Sequence, residues 1–192
     1  MVQQMMRNPG SVIYVRQQEP AGLGHAVWCA RHLAQSEPVA VLLADDLILG
    51  TGCLGEMISA YNGGNMVAVM DVPQNETASY GIITPGADDG RIVEVNALVE
   101  KPLPKDAPSN IAVVGRYIIE PGVFTHLDRQ EQGAGGEIQL TDSMLALMGE
   151  QAFHGVPFAG ETYDCGNKMG FIEANIKMAL KDADIADDVK AM

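Results

Sequence analysis

Two acidic stretches have the composition of a cation site. "LLADDL" closes an apolar run with Asp45 and Asp46, and "ETYDCGNKMG" places Asp164 at the end of a second strand-like segment, ahead of Gly166 and Lys168. Carboxylates drawn from separate segments suit a hard divalent cation. In open α/β sheets ligands gather at the carboxyl ends of strands, which is where both segments finish. From the run alone Asp45 and Asp46 are equivalent: either could hold a metal, or cap the next turn. Lys168 opens a helix whose free N–H groups suit phosphate, or it is an ordinary surface lysine behind a capped start.

"LVEKP" sets Glu100 beside Lys101, just before a proline that ends the strand. A carboxylate can accept from sugar hydroxyls and an ammonium can hold a phosphate. Extended backbone sends the two to opposite faces unless it twists there. The alternative is a plain charged strand end. In "RQQEPAGLGHAVWCARHLAQ" a glycine loop runs straight into a helix, and His25, Cys29 and His32 fall at i, i+4 and i+7. Three ligands without a Cys-x-x-Cys partner make a helix flank a better reading than zinc. No G-x-S-x-G elbow and no Walker pattern occurs, so an activated serine and a P-loop are both disfavoured.

These residues must be positioned by alternating elements. "SVIYVRQ" (11–17) and "PVAVLLADD" (38–46) read as strands, the second buried on both faces, with a helix between them on Leu23, Ala26, Val27, Ala30, Leu33 and Ala34: one βαβ unit. "EMISAYNG" reads as a short helix closed by Gly63 and "NMVAVMDVP" as another buried strand. "SYGIITPG", "GRIVEVNALVEKP" and "NIAVVGRYII" are β-rich, with Asp89-Gly90 suited to a hairpin turn. Helices follow at "GVFTHLDRQ" and "EIQLTDSMLALMGEQ", short strands at "AFHGVPFAG" and "TYDCG", then a helix at "NKMGFIEANIKMALKD". The acidic end, "DADIADDVKAM", reads as a solvated, fraying terminus.

The 192 residues, 47% hydrophobic, suffice for one globular domain with a real core. A net charge of −13 repels a phosphate backbone and excludes nucleic acid as the expected partner. A phosphorylated small ligand would need Mg²⁺ or well-placed lysines. The 3 cysteines point to a reducing compartment, the cytoplasm by default. No run is long and apolar enough to span a membrane, and "MVQQMMRNPG" lacks the apolar block of a signal peptide.

Taken in order, "VRQQEPAGLGHAVWCA", "VAVLLADDLIL", "SYGII", "LVEKP", "NIAVVGRYII", "GAGGEIQLTDS" and "YDCGNKMGFIEA" resemble the bacterial UTP–glucose-1-phosphate uridylyltransferases, or UDP-glucose pyrophosphorylases, from Ile13 to Asn175. The resemblance implies a Rossmann-like α/β nucleotidyltransferase fold, a mixed, mainly parallel sheet flanked by helices. It implies transfer of UMP from UTP to α-D-glucose 1-phosphate, giving UDP-glucose and pyrophosphate. It sets the Gln17 side chain and the Gly22 backbone against uracil, and Asp45 and Asp164 on Mg²⁺. Gly81 and Glu100 would meet the glucose hydroxyls and Lys101 the sugar phosphate. Val114 and Gly115 would line the sugar pocket, with Glu137 and Lys168 nearby. Asp45, Lys101 and Asp164 become the catalytic set, and a homo-oligomer is expected.

The chain departs from the family in lacking a G-x-G-T-R loop and the lysine after it. The expectation is therefore a single, partial domain over residues 1–192, without the first strand and glycine-rich loop and with little or no turnover. An apolar edge beside "VAVLLAD" should lie uncovered. Two other readings stand beside this one: a sister enzyme using dTTP or CTP, and a non-catalytic regulatory paralogue.

Overall fold

The computed structural model describes residues 8, 10–50 and 52–191. Most of "MVQQMMRNPG", read above as lacking a signal block, lies outside the described residues. Helices Leu23–Cys29 (α1) and Arg31–Ala34 (α2) lead into strands Val39–Leu42 (β1) and Asp46–Gly50 (β2), helix Cys53–Ala60 (α3) and strand Asn65–Asp71 (β3). Strands Gly81–Asp88 (β4), Val93–Glu100 (β5) and Ile111–Ile119 (β6) follow, then helices Val123–Leu127 (α4) and Leu140–Met148 (α5). Strands Phe153–Pro157 (β7) and Gly160–Asp164 (β8) precede helices Lys168–Lys181 (α6) and Ala186–Ala191 (α7).

Six strands form one sheet in the order β1-β6-β3-β7-β5-β4, and β4 also reaches β6 through Ile82 and Ala112, so the sheet curls back on itself. The strand β3 is buried on both faces because its apolar residues do not alternate with polar ones. Val67 and Val69 enter the core under α4 and α5, whereas Met66 and Ala68 meet Cys53 and Met57 of α3. The helix α5 buries Leu140, Met144 and Leu147, spaced i, i+4 and i+7, along one stripe. The β4–β5 hairpin turns where expected: Gly90 has φ +82°, and the Asp89 carboxylate accepts the N–H groups of Arg91 and Ile92 at 2.8 and 2.9 Å.

The sheet is mixed, as expected, but it is not mainly parallel. Among the described residues only β3 and β7 run parallel, because an apolar run reports burial and says nothing of its neighbour's direction. "SVIYVRQ" is not a strand. No described segment pairs with it to complete a ladder, and Tyr14 is 93% exposed, so the βαβ crossover is not formed among the described residues. Nor is β1 buried on both faces: among the described residues it pairs only with β6, antiparallel, with alternate residues exposed. Its other edge meets no described strand and adjoins an apolar groove lined by Val27, Leu33, Val39, Val41 and Phe124, the uncovered edge that was expected. The acidic end is solvated as expected, yet it forms α7, where Lys190 pairs with Asp187 at 3.0 Å.

Candidate active site

The strand β1 ends at Leu42 opposite Arg116, and the chain then leaves β6 midway along that strand, at Gly115, before starting β2. Leu43 N–H donates to the Gly115 carbonyl at 2.9 Å, and Arg116 donates to the carbonyls of Leu43 and Gly115 at 3.0 and 2.7 Å. This departure from β6 separates the two aspartates. Asp46 Oδ2 accepts the backbone N–H of Gly115 at 2.7 Å, so its carboxylate is committed to holding that departure in place. The Asp45 side chain has no hydrogen-bond partner among the described residues, while its carbonyl takes the Cys165 N–H at 2.7 Å.

That second bond belongs to a two-stranded ribbon. The strands β2 and β8 pair antiparallel with Asp46 opposite Asp164, which brings the two acidic stretches, far apart in sequence, to one place. Asp164 then turns the chain: Oδ1 accepts Gly166 N–H at 2.8 Å, and Oδ2 accepts Asn167 Nδ2 at 3.0 Å. Asn167 in turn caps α6 by accepting Gly170 N–H at 2.8 Å. A β-carbon placed on Gly166 would sit 2.9 Å from Asp164 Oδ1 and 3.2 Å from Asp45 Oδ2. The two carboxylates thus both approach a residue that offers no side chain, and present hard oxygen ligands on the same side of it. Two carboxylates leave further positions open for water or phosphate, which suits Mg²⁺ better than a cation that requires a full protein cage.

Glu100 and Lys101 do point to one side. Lys101 takes φ +46°, the left-handed twist that an alternating strand lacks, and is held there by donating its N–H to the Tyr80 carbonyl at 3.0 Å. Its ammonium lies 4.0 Å from Glu100 Oε1, and Glu100 Oε2 accepts from Thr141 Oγ1 at 3.0 Å. Gly81 faces Glu100 across the β4–β5 ladder, and a β-carbon there would come within 3.4 Å of that same Oε2, so glycine keeps the carboxylate open.

Asp45, Asp46, Gly81, Glu100, Lys101, Gly115 and Asp164 all line one cavity of about 250 Å³. Four carboxylates against one ammonium make it strongly negative. Burial pushes the Asp46 carboxyl above its ordinary value, with the Gly115 N–H opposing and the Asp45 and Asp164 charges adding to the rise. Burial likewise raises the hydroxyls of Tyr117 and Tyr80, which face these carboxylates across the cavity. An anionic ligand there would need a cation to offset these charges.

Other candidates fall elsewhere. Val114 does not line the cavity: its side chain is 2% exposed in the core under α3, and Val113 faces the cavity instead, since adjacent strand residues alternate. Lys168 sits exposed at the first turn of α6, outside the cavity lining. Gln17, Gly22 and Glu137 form a neighbouring patch. Gly22 has φ +106°, and a β-carbon there would be 2.8 Å from both Glu137 Cβ and the Ile138 carbonyl. Ile138 exchanges backbone bonds of 2.8 Å with Ala21 and Gly24, clamping the loop at the start of α1, from which Leu23 reaches the cavity. His25 and Cys29 are adjacent, 3.9 Å apart, but His32 lies in α2, and no group of three or more metal-ligating side chains occurs among the described residues. Thr141, Tyr80 and Tyr117 were missed. Tyr117 reaches the cavity from β6, and Thr141 gains its role from the approach of α5 to Glu100 of β5.

A family model described as Nucleotidyl transferase matches residues 2–181. The chain belongs to the nucleotidyl transferase family. It is 48% identical over 164 residues to the UTP–glucose-1-phosphate uridylyltransferase of Komagataeibacter xylinus, a match covering 84% of the chain and 58% of that relative. The enzyme of that name from Bacillus subtilis is 43% identical over 185 residues, 95% of the chain and 63% of the relative. The chain thus spans less than two thirds of the length of these curated relatives. Among solved structures, UDP-glucose pyrophosphorylase complexed with UDP-glucose matches at a TM-score of 0.84 and 38% identity, over 88% of this chain and 66% of that one. UTP-bound UGPase from Acinetobacter baumannii matches at 0.88 and 33% identity, over 99% and 67%. The expected α/β nucleotidyltransferase fold is borne out.

Proposed function

We propose that this chain carries the site that joins UTP and α-D-glucose 1-phosphate into UDP-glucose and pyrophosphate. The observation that carries the reading is that Glu100 and Lys101 meet Asp45 and Asp164 in one cavity. The names of the relatives in the preceding section support it.

A phosphate oxygen of the sugar phosphate attacks the α-phosphorus of UTP. The new O–P bond forms as the bond to pyrophosphate breaks, and the electron pair leaves with pyrophosphate. No covalent enzyme intermediate is needed, only alignment and charge neutralisation. Asp45 and Asp164 would hold Mg²⁺, which supplies positive charge to the phosphate oxygens. Lys101 neutralises the sugar phosphate, while Glu100, oriented by Thr141, accepts from sugar hydroxyls that Gly81 leaves room to approach. Gln17 and Gly22 take the base, Val114 supports the site from the core and Glu137 packs against the Gly22 loop, while Lys168 lends its charge from the exposed first turn of α6.

The protein is read as a cytoplasmic homo-oligomer. Its cysteines are all free, no described helix is long and apolar enough to cross a membrane, and Met169, Ile172 and Ile176 leave an apolar stripe on the outside of α6.

Calorimetric titration tests the reading. UDP-glucose should bind the chain saturably in MgCl₂, compete with glucose 1-phosphate, and lose at least about tenfold in affinity in Glu100→Ala and Lys101→Asn. Absence of binding, or binding indifferent to both substitutions, overturns it.

A further inference from the structure

The amide of Gln17 is not free to choose which end it shows a ligand. Its Nε2 donates to the Gly22 carbonyl at 3.0 Å and lies 2.9 Å from His25 Nδ1. A carbonyl oxygen only accepts, so the nitrogen end of the amide must face Gly22; the oxygen end there would set two lone-pair atoms against each other. The second amide hydrogen then goes to His25, which must present an unprotonated Nδ1 and carry its hydrogen on Nε2. That atom lies 3.9 Å from Cys29 Sγ, a weak acceptor. The imidazole is held in this attitude by stacking on Trp28, with ring centroids 5.6 Å apart and planes inclined by 21°.

Both amide hydrogens are therefore consumed. Among the described residues, Gln17 Oε1 and the Gly22 N–H take no hydrogen bond. The loop consequently offers a base one acceptor and one donor. An imide edge, as in uracil or thymine, answers with N3–H for the acceptor and a ring carbonyl for the donor. Cytosine has a lone pair at N3 and meets the Gln17 oxygen with repulsion.

We propose that His25 is a positioning residue that locks the Gln17 amide with its oxygen toward the base, and so makes the loop select uracil-type imides over cytosine. The inference rests on the reading that the base lies at Gln17 and Gly22. Without His25 a turned amide gives up only its bond to the Gly22 carbonyl and no longer meets the imidazole lone pair, so offering its N–H₂ to cytosine costs one hydrogen bond instead of two, while the sugar and phosphate contacts at Glu100 and Lys101 are unaffected.

The test is calorimetric binding of UDP-glucose and CDP-glucose to the full chain in MgCl₂. His25→Leu should reduce the UDP-glucose over CDP-glucose preference by at least about tenfold, chiefly through tighter CDP-glucose binding, whereas His25→Asn, which restores an acceptor near the Nδ1 position, should keep it within about threefold. A wild-type preference in His25→Leu, or an equal loss in both variants, overturns the proposal. Gln17→Ala separates the two levels. If it leaves the preference intact, the base is not at Gln17 and the underlying reading fails; if it abolishes the preference while His25→Leu does not, only the role of His25 fails. Imidazole ¹⁵N shifts of the unsubstituted chain give a check independent of any variant's folding: His25 should be the Nε2–H tautomer, and an Nδ1–H tautomer overturns the lock.

Discussion

Asp46 and Gly115 are bound side chain to backbone at 2.7 Å, and this contact distinguishes Asp46 from its neighbour Asp45. The carboxylate is desolvated and faces two like charges, so its pKa is raised in the folded chain. A raised carboxyl value means that the folded state holds the proton more tightly than the unfolded one, so stability falls as pH rises through the range just above the ordinary aspartate value. Asp46→Asn keeps an oxygen for Gly115 and removes the charge. Denaturant melts without divalent cation should show it at least as stable as the parent, with that pH slope flattened. Asp46→Ala leaves the Gly115 N–H unpaired and should lose about 1–3 kcal/mol.

Gly166 is predicted to be intolerant for the site and tolerant for the fold. A β-carbon would press on Asp164 Oδ1 and Asp45 Oδ2 at 2.9 and 3.2 Å. In Gly166→Ala the Mg²⁺-dependent part of UDP-glucose affinity should drop more than about tenfold, equal to about 1.4 kcal/mol, while circular dichroism stays unchanged.

Thr141 should matter for the sugar and not for the nucleotide. Its hydroxyl donates to Glu100 Oε2 at 3.0 Å. Thr141→Val, nearly the same shape, should weaken glucose 1-phosphate binding about three- to tenfold and leave UMP binding as it was, both measured by calorimetry. Loss of both ligands together would point to a collapsed cavity instead.

The docking of α6 should be acid-sensitive. The Tyr163 hydroxyl bonds the Glu161 carboxylate, and Lys181 and Lys177 lie 3.7 and 3.8 Å from it, so its pKa is lowered, the tyrosine bond contributing most. A lowered carboxyl value contributes stability that is present at neutral pH and lost as pH falls through the folded-state value, below the ordinary glutamate range. Hydrogen exchange should show α6 opening more readily on acidification, and Glu161→Gln should open more readily already at neutral pH and lose the dependence.

Much of the fold was legible because its signals are local. The burial of β3 on both faces follows from "NMVAVM", the β4–β5 turn from Asp89-Gly90, and the buried stripe of α5 from apolar residues at i, i+4 and i+7. "SVIYVRQ" misled because strand-like composition makes a strand only when a neighbour supplies the other half of the ladder. "VAVLL" misled because its apolar run could not show that β6 would run against it and leave one edge open.

The same division holds at the site. From the sequence alone came the residue types and where they fall along the chain: paired carboxylates at strand ends, Glu100 beside Lys101, and a glycine loop with Gln17 and Gly22, all of which composition and local order express. The tertiary structure alone decided which of Asp45 and Asp46 stays available, that Lys101 turns to the side of Glu100, that Val113 rather than Val114 faces the cavity, and that His25 reaches Gln17. Each of these depends on a contact with a distant segment or on one backbone dihedral, and a change of 1 Å or of one strand position reverses it, so no local pattern can encode it.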